Sequence, residues 1–319
     1  MSSTFAPHSP QGAGRAMSMI GSPEVLARVG PRAAMDAIER AFLALDRGEI
    51  GEPVSLGLDL GEGTFHVKAC AGMGLLVAKL NANFPGNRER HGLPTIQGVI
   101  AVFDAGNGRL LELVDSPSIT SVRTAATTAL AVRLLAPAGA DEATIVGCGV
   151  LGRGHVAALR ECNGITRMSV FDRDRESARA LAAWARGLGV ECSVAPDLRE
   201  STRASPIVIT CTSSSAAYLG ADDIRPGTLV AAVGADNAGK AEIGASLLAQ
   251  ARIVADRTAQ CRKSGDLRNA PPGAAACGEL ADAVAGRIAR TAPDEIVVFD
   301  STGLAVEDLA VCAILRESR

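Results

Sequence analysis

Ala143-Thr144-Ile145-Val146-Gly147-Cys148-Gly149-Val150-Leu151-Gly152 is a short apolar strand running straight into a glycine-rich turn, and a helix pattern over 152–161 follows it. The order strand, Gly-x-Gly-x-x-Gly, helix is the arrangement that binds a dinucleotide pyrophosphate. Gly147 permits the tight turn, Gly149 lets the backbone approach the phosphates, and Gly152 lets the helix pack closely on the sheet. The helix N-terminus adds unpaired N–H groups and the positive end of its dipole. Glycine-rich turns are common, so the context carries the weight. An acid, Asp172, ends the next apolar run Met168-Ser169-Val170-Phe171, twenty residues past Gly152. A carboxylate there accepts hydrogen bonds from the adenosine ribose and repels a 2′-phosphate. NAD is therefore the expected cofactor; Arg173 and Arg175 keep NADP open, because an arginine beside the acid accommodates the phosphate. The competing reading of Asp172 is a simple cap of the following helix.

Working outward, the runs 144–146, 169–172, 207–211, 229–234 and 253–256 are short apolar strands, with helices over 152–161 and 175–188 between the first of them. Continuous apolar strands alternating with helices imply a parallel sheet covered on both faces. A last strand (295–300) precedes a helix (306–316). Upstream the regime differs. Ser22 reads as an N-cap with Pro23 at the first helical position. A second helix fits 32–47 through Met35, Ile38, Phe42 and Leu45. Short β-rich runs follow at 54–60, 64–70, 75–81, 99–104 and 110–115, the last two joined by a hairpin connection. The expected fold is thus α/β: a Rossmann-type parallel sheet plus an α+β unit with an antiparallel sheet. An Ala-rich helix from Arg123 to Leu135 links the two regimes.

Forty-seven per cent apolar residues support a sizeable core, and a net charge of −3 gives no electrostatic reason to expect nucleic acid or an anionic membrane as partner. No stretch reaches the roughly 18 apolar residues of a membrane span. The first 17 residues lack an apolar targeting core and read as a disordered tail, with the unit boundary drawn at residue 20. Eight cysteines without CxxC or regular spacing read as small buried hydrophobes in a reducing compartment, so the expected location is the cytoplasm. No His/Cys pattern suggests a metal.

Hydride chemistry on a polar substrate requires a proton donor or acceptor and cations to hold the substrate. Lys79 sits inside the apolar run Leu75-Leu76-Val77-Ala78-Lys79-Leu80, where burial would lower its pKa; alternatively it is an edge residue that snorkels. Lys68 is placed similarly one strand earlier, beside His66. His8 lies in the tail and His155 in the helix after the glycine loop, which leaves His66 and His91 as free histidines. Asp236 follows the strand at 229–234, on the edge where parallel sheets bind ligands, or makes an ordinary Asx turn. Arg123, at the start of its helix, opposes the dipole, which suggests that an anion holds it.

With Arg123-Thr124-Ala125-Ala126, Gly147 to Gly152, Gly234-Ala235-Asp236-Asn237-Ala238-Gly239-Lys240-Ala241-Glu242 and Phe299 to Asp308 in this order, the chain resembles the ornithine cyclodeaminase/mu-crystallin family from about residue 22 onward. The resemblance implies a homodimer with a discontinuous substrate-binding and dimerisation domain (21–122 and 301–319) and an NAD(P)-binding domain (123–300). It implies hydride transfer between a nicotinamide and the α-carbon of a small amino acid or imino acid. Lys79 then matches the active-site lysine and Asp236 the active-site acid. Arg123 and Thr124 match the pair bridging substrate carboxylate and cofactor, and Thr302 lines the nicotinamide pocket. The expected cofactor contacts are Gly147, Gly149, Val150, Leu151, Gly152, Asp172, Arg173, Thr124, Thr95, Thr212 and Ser213.

Two positions depart from the family. An Arg that often clamps the substrate carboxylate is replaced by Ser55, and Lys68 is the candidate replacement cation. A Glu that binds the distal amine of ornithine in cyclodeaminases is His66 here, thirteen residues before Lys79. Loss of that carboxylate argues against a cyclodeaminase-type lyase and for an amino acid dehydrogenase or imine reductase. A protein that keeps the cofactor but has lost catalysis is the third reading, and retention of both Lys79 and Asp236 argues against it.

Overall fold

The computed structural model describes residues 18–318; the tail expected over 1–17, with His8, lies outside the described residues. The first part of the chain runs β1 (Ser18–Ile20), α1 (Ser22–Arg28), α2 (Pro31–Asp46), β2 (Val54–Asp59), β3 (Thr64–Gly72), β4 (Leu75–Asn83), α3 (Asn87–His91), β5 (Ile96–Asp104), β6 (Leu110–Asp115) and α4 (Ser116–Leu135). The remainder runs β7 (Glu142–Val146), α5 (Val150–Asn163), β8 (Arg167–Phe171), α6 (Arg175–Gly187), β9 (Glu191–Val194), α7 (Leu198–Ala204), β10 (Ile207–Thr210), β11 (Leu229–Ala232), α8 (Ala245–Gln250), β12 (Arg252–Ala255), α9 (Thr258–Ser264), β13 (Ala276–Glu279), α10 (Leu280–Val284), β14 (Val297–Asp300) and α11 (Ala305–Glu317).

Strands β7 to β14 form one eight-stranded sheet, all parallel, in the order β13-β12-β14-β11-β10-β7-β8-β9. Its central strands are buried along their whole length, as a sheet covered on both faces requires. The order reverses between β7 and β10, which opens the ligand crevice of a doubly wound sheet beside the glycine turn. The other sheet has six strands, β1-β6-β5-β4-β3-β2. It is antiparallel except at β1, which pairs parallel with β6. Ser18–Ile20 therefore belongs to the sheet, and the expected boundary at residue 20 is three residues late.

Helix α11 returns from the C-terminal end to lie on β3 and β4 and against α2 and α4. In α2 the expected face is buried through Met35, Ile38 and Phe42. Two helix starts differ from expectation. Gly21, not Ser22, caps α1, and it makes no side-chain bond. Helix α4 begins at Ser116, capped by Asp115 through the Ser118 N–H, so Arg123 stands inside the helix and its charge does not meet the N-terminal dipole. Ser116-Pro117-Ser118 masks that start in the sequence, although Pro is well suited to a first turn.

Candidate functional site

The glycine turn is built as its spacing requires. Gly147 has φ +106°, and a Cβ there would lie 2.9 Å from the Cys211 carbonyl at the end of β10. A Cβ on Gly152 would overlap the Gly147 carbonyl, whereas nothing lies within 4 Å of the Cβ position of Gly149. Gly149 also serves as N-cap of α5 without a side-chain bond, and Val150 after it is 72 % exposed. The turn thus leaves an open cradle at an uncapped helix N-terminus, which fits an anionic diphosphate. Asp172 faces that cradle: its Oδ2 accepts the Cys148 N–H at 2.8 Å and its Oδ1 the Asp174 N–H at 2.9 Å. Helix α6 is capped by Asp174, which removes the capping reading of Asp172. Arg175 turns away to the carbonyls of Ala195 and Pro196, while Arg173 is exposed beside the acid.

A second set of groups gathers where α11 meets β3, β4 and α4. Ser55, Lys68, Lys79 and Ile100 are successive cross-strand partners and so share one face of the six-stranded sheet. Lys79 is only 4 % exposed on the fourth strand of six, which excludes the snorkelling edge reading. Its Nζ donates to Asp308 Oδ1 at 2.9 Å and lies 2.7 Å from Oδ2. Burial pushes the Lys79 ammonium down to about 8, with Asp308 working in the opposite direction. Arg123 donates to Glu307 Oε2 at 2.8 Å, and its Nε is 3.5 Å from Asp308 Oδ1. Burial opposes the Arg123 charge, but Glu307 and Asp308 outweigh it, and the guanidinium is held above its usual pKa. Two acids on the first turn of α11, otherwise apolar as far as Leu315, thus neutralise the two buried cations.

Lys68 differs from both. Its Nζ donates to the carbonyls of Thr302 (3.0 Å) and Gly303 (2.7 Å), with no carboxylate of the described residues in contact. Burial and then the Arg123 charge lower its pKa. The carbonyl pair belongs to a loop tied down by buried Asp256, whose Oδ2 accepts from Ser301 Oγ and from the N–H groups of Thr302 and Gly303. Gly303 has φ +73°, and a Cβ there would overlap the Arg123 guanidinium. Thr302 is 3 % exposed and takes the Gln260 amide on its hydroxyl at 2.8 Å.

Asp236 stands beyond β11 and is 46 % exposed, bonded to Lys240 Nζ at 2.9 Å. Desolvation in the cleft raises its pKa, but Lys240, Lys68 and His66 more than offset this and hold it below the usual carboxylate value. His66 bonds Thr64 Oγ1 at 2.9 Å; burial lowers its pKa and the Asp236 charge acts against that. The structure therefore brings Lys68, Lys79, Arg123, His66, Asp236 and Thr302 together. Thr212 and exposed Ser213 follow β10, beside the glycine turn. Thr124 is buried on α4 next to Arg123, and Thr95, whose carbonyl accepts the Phe84 N–H, immediately precedes β5 at the sheet end where β3 begins with Thr64, two residues from His66. His91 is exposed on α3 outside this group. His155 is fully buried against Thr128 Oγ1 and pushed down to about 4 by burial. Glu307, Asp308 and Asp256 lie in or near quoted stretches, yet sequence reasoning assigned them no role. Acidic residues inside an apolar helix are costly without partners, and that was the available signal.

A cavity of about 470 Å³ opens at the opposite end of the parallel sheet, where β7, β8 and β9 begin, and holds none of these groups. Among the described residues no His/Cys/Asp/Glu cluster could hold a metal, and no helix is long and apolar enough to cross a membrane. Six cysteines are buried, but Cys211 is half-buried and Cys277 exposed.

The profile of the ornithine cyclodeaminase/mu-crystallin family matches residues 17–319. The chain belongs to this family. An alanine dehydrogenase of Archaeoglobus fulgidus is 29 % identical to this family member over 301 residues, 92 % of each chain. A solved archaeal alanine dehydrogenase dimer with bound NAD superposes with a TM-score of 0.88 at 27 % identity, covering 95 % of both chains. The Δ(1)-pyrroline-2-carboxylate reductase of Thermococcus litoralis, solved with NADH and L-proline, gives 0.89 at 26 % identity, covering 95 % of this family member and 97 % of that chain.

Proposed function

We propose that this family member is an NAD-dependent oxidoreductase of small amino acids or imino acids, an amino acid dehydrogenase or imine reductase. The observation that carries this reading is the unequal pairing of the three cations: among the described residues Lys79 and Arg123 have carboxylate partners, whereas Lys68 touches neutral carbonyls. A substrate carboxylate supplies the missing anion, and a charge-assisted hydrogen bond there holds the α-carbon at the cleft. When bound, the nicotinamide supplies or accepts the hydride at that carbon. The open cradle at Gly149, the amides of Val150, Leu151 and Gly152, and Asp172 would hold the dinucleotide; Arg173, Thr124, Thr95, Thr212 and Ser213 complete the proposed contact set.

Lys79 gives a proton to the substrate nitrogen in the reductive direction and takes one in the oxidative direction. A group near pH 8 can serve both. Asp236 orients the nitrogen from the opposite side of the cleft, and Thr302 borders it. Residues 18–122 with 301–319 act as the substrate unit and 123–300 as the cofactor unit, with α11 joining them. The outer face of the six-stranded sheet is apolar and, among the described residues, uncovered: Leu56, Val67, Leu80 and Val99 are cross-strand neighbours, and Val54, Leu56 and Leu58 are 61, 57 and 48 % exposed. A second copy of the chain covers this face in a homodimer, as the dimeric archaeal relative supports.

The deciding assay mixes the protein with NADH or NADPH, an oxo acid (pyruvate, glyoxylate or oxaloacetate) and ammonia or methylamine, or with a cyclic imine, and follows the reduced nicotinamide. Oxidation that requires both oxo acid and amine, or the imine alone, is the expected result. Ammonia released from ornithine or lysine with no net cofactor change would instead establish cyclodeaminase chemistry.

A further inference from the structure

Glu242 is fully buried, yet its carboxylate receives five donors. Oε1 accepts the Thr212 N–H (2.7 Å), the Thr212 hydroxyl (2.6 Å) and the Tyr218 hydroxyl (3.0 Å). Oε2 accepts the Thr210 hydroxyl (2.7 Å) and the Gly234 N–H (2.8 Å). The backbone behind it is fixed as well, because Asp266 Oδ1 accepts the N–H groups of Glu242 and Ile243. Thr212 and Gly234 each stand two residues beyond the ends of neighbouring parallel strands, β10 and β11. Beyond them stand Ser213 on one loop and Asp236 on the other. A Cβ on Gly234 would lie 2.6 Å from Glu242 Cδ, so the carboxylate occupies the space that a side chain would need.

We propose that Glu242 is a positioning residue for the reaction: it braces the proposed cofactor-contact loop after β10 against the loop that carries Asp236. The inference rests on the functional reading above. The chemistry demands an acceptor at both ends of the side chain. Hydroxyl donors can rotate, but each oxygen also takes one backbone N–H, and a backbone N–H cannot reverse. A glutamine of the same shape must therefore turn its NH₂ onto either Thr212 or Gly234, whichever way it lies. An aspartate, one methylene shorter, cannot span both loops.

The test is Glu242→Gln in the full-length protein, measuring NADH affinity by fluorescence, steady-state amination kinetics and the far-ultraviolet circular dichroism spectrum. Thr212 and Ser213 are proposed cofactor contacts, so the NADH dissociation constant should rise by about three- to tenfold, while the glycine turn and Asp172 keep the nucleotide bound. Misplacement of the two loops should lower kcat by about 10–100-fold with native secondary structure retained. Should the variant fail to fold, Thr210→Val removes a single donor from Oε2, and a loss of kcat of about threefold or more with native secondary structure is expected. A kcat within twofold of wild type in Glu242→Gln, or in Thr210→Val where that is the folded variant, overturns the proposal and leaves Glu242 a structural residue. Wild-type protein that binds no nicotinamide overturns the functional reading itself, and this inference with it.

Discussion

Lys79 on β4 and Asp308 on α11, 229 residues apart in the chain, form a buried ion pair with an Nζ–Oδ2 distance of 2.7 Å. The pair ties the C-terminal helix to the sheet and sets the protonation of the amine at the centre of the site. Desolvation favours neutral Lys79 and Asp308 favours the ammonium. Removing one member of such a pair strands the other charge in a low-dielectric site, at a cost of roughly 3–5 kcal/mol.

The first prediction is a pH profile. Reductive amination needs the Lys79 ammonium, so its rate should fall as pH rises through about 8, and the oxidative direction should show the opposite limb. Asp308→Asn removes the anion that favours the charged form and should move both limbs to lower pH. Between about 8 and the ordinary 10.5 the unfolded chain holds the proton that folded Lys79 has lost, so this group's contribution to stability should rise with pH across that window. Limbs that stay in place in Asp308→Asn would remove Lys79 from the proton-transfer role.

Lys68 is predicted to hold the substrate carboxylate. Loss of a charge-assisted hydrogen bond costs about 1.5–3 kcal/mol, so Lys68→Met should raise KM for the oxo acid or imine by about 10–100-fold. NADH affinity should be nearly unchanged. Equal KM in mutant and wild type would leave Lys68 with only its two carbonyls.

Asp172 should set cofactor choice. Arg175 is engaged at Ala195 and Pro196, which leaves Arg173 as the arginine available to a 2′-phosphate. Asp172→Ser should weaken NADH and raise the NADPH/NADH ratio of kcat/KM by about tenfold or more. Titration with both nucleotides measures it, and an unaltered ratio would assign Asp172 to the glycine turn alone, through the Cys148 N–H.

The apolar outer face yields a prediction about assembly. Leu56, 57 % exposed on edge strand β2, should be covered in the dimer. Leu56→Glu buries an unpaired charge at that contact and should convert the dimer to a monomer in light scattering. A wild-type monomer at micromolar concentration would exclude this interface.

Much of the fold was legible because its signals are local. Apolar runs of strand length, the glycine spacing and the acid after β8 depend on neighbours within some thirty residues, and they locate the parallel sheet and its ligand edge. Strand β1 and the start of α4 escaped notice, since a three-residue strand exists only through its pairing with β6 and Ser116-Pro117-Ser118 looks like a turn.

The sequence by itself determined that an αβ alternation carries a dinucleotide-type turn, and that Lys68, Lys79, Arg123 and Asp236 are the charged residues worth watching. Only the tertiary structure decided which cations have partners. Lys79 meets Asp308, Arg123 meets Glu307, Lys68 meets two carbonyls, and Glu242 joins the loops after β10 and β11. The physical reason is that secondary-structure periodicity is set by nearest neighbours along the chain. The charge state and freedom of a buried group depend instead on the dielectric and the counter-charges that packing brings to it from distant segments.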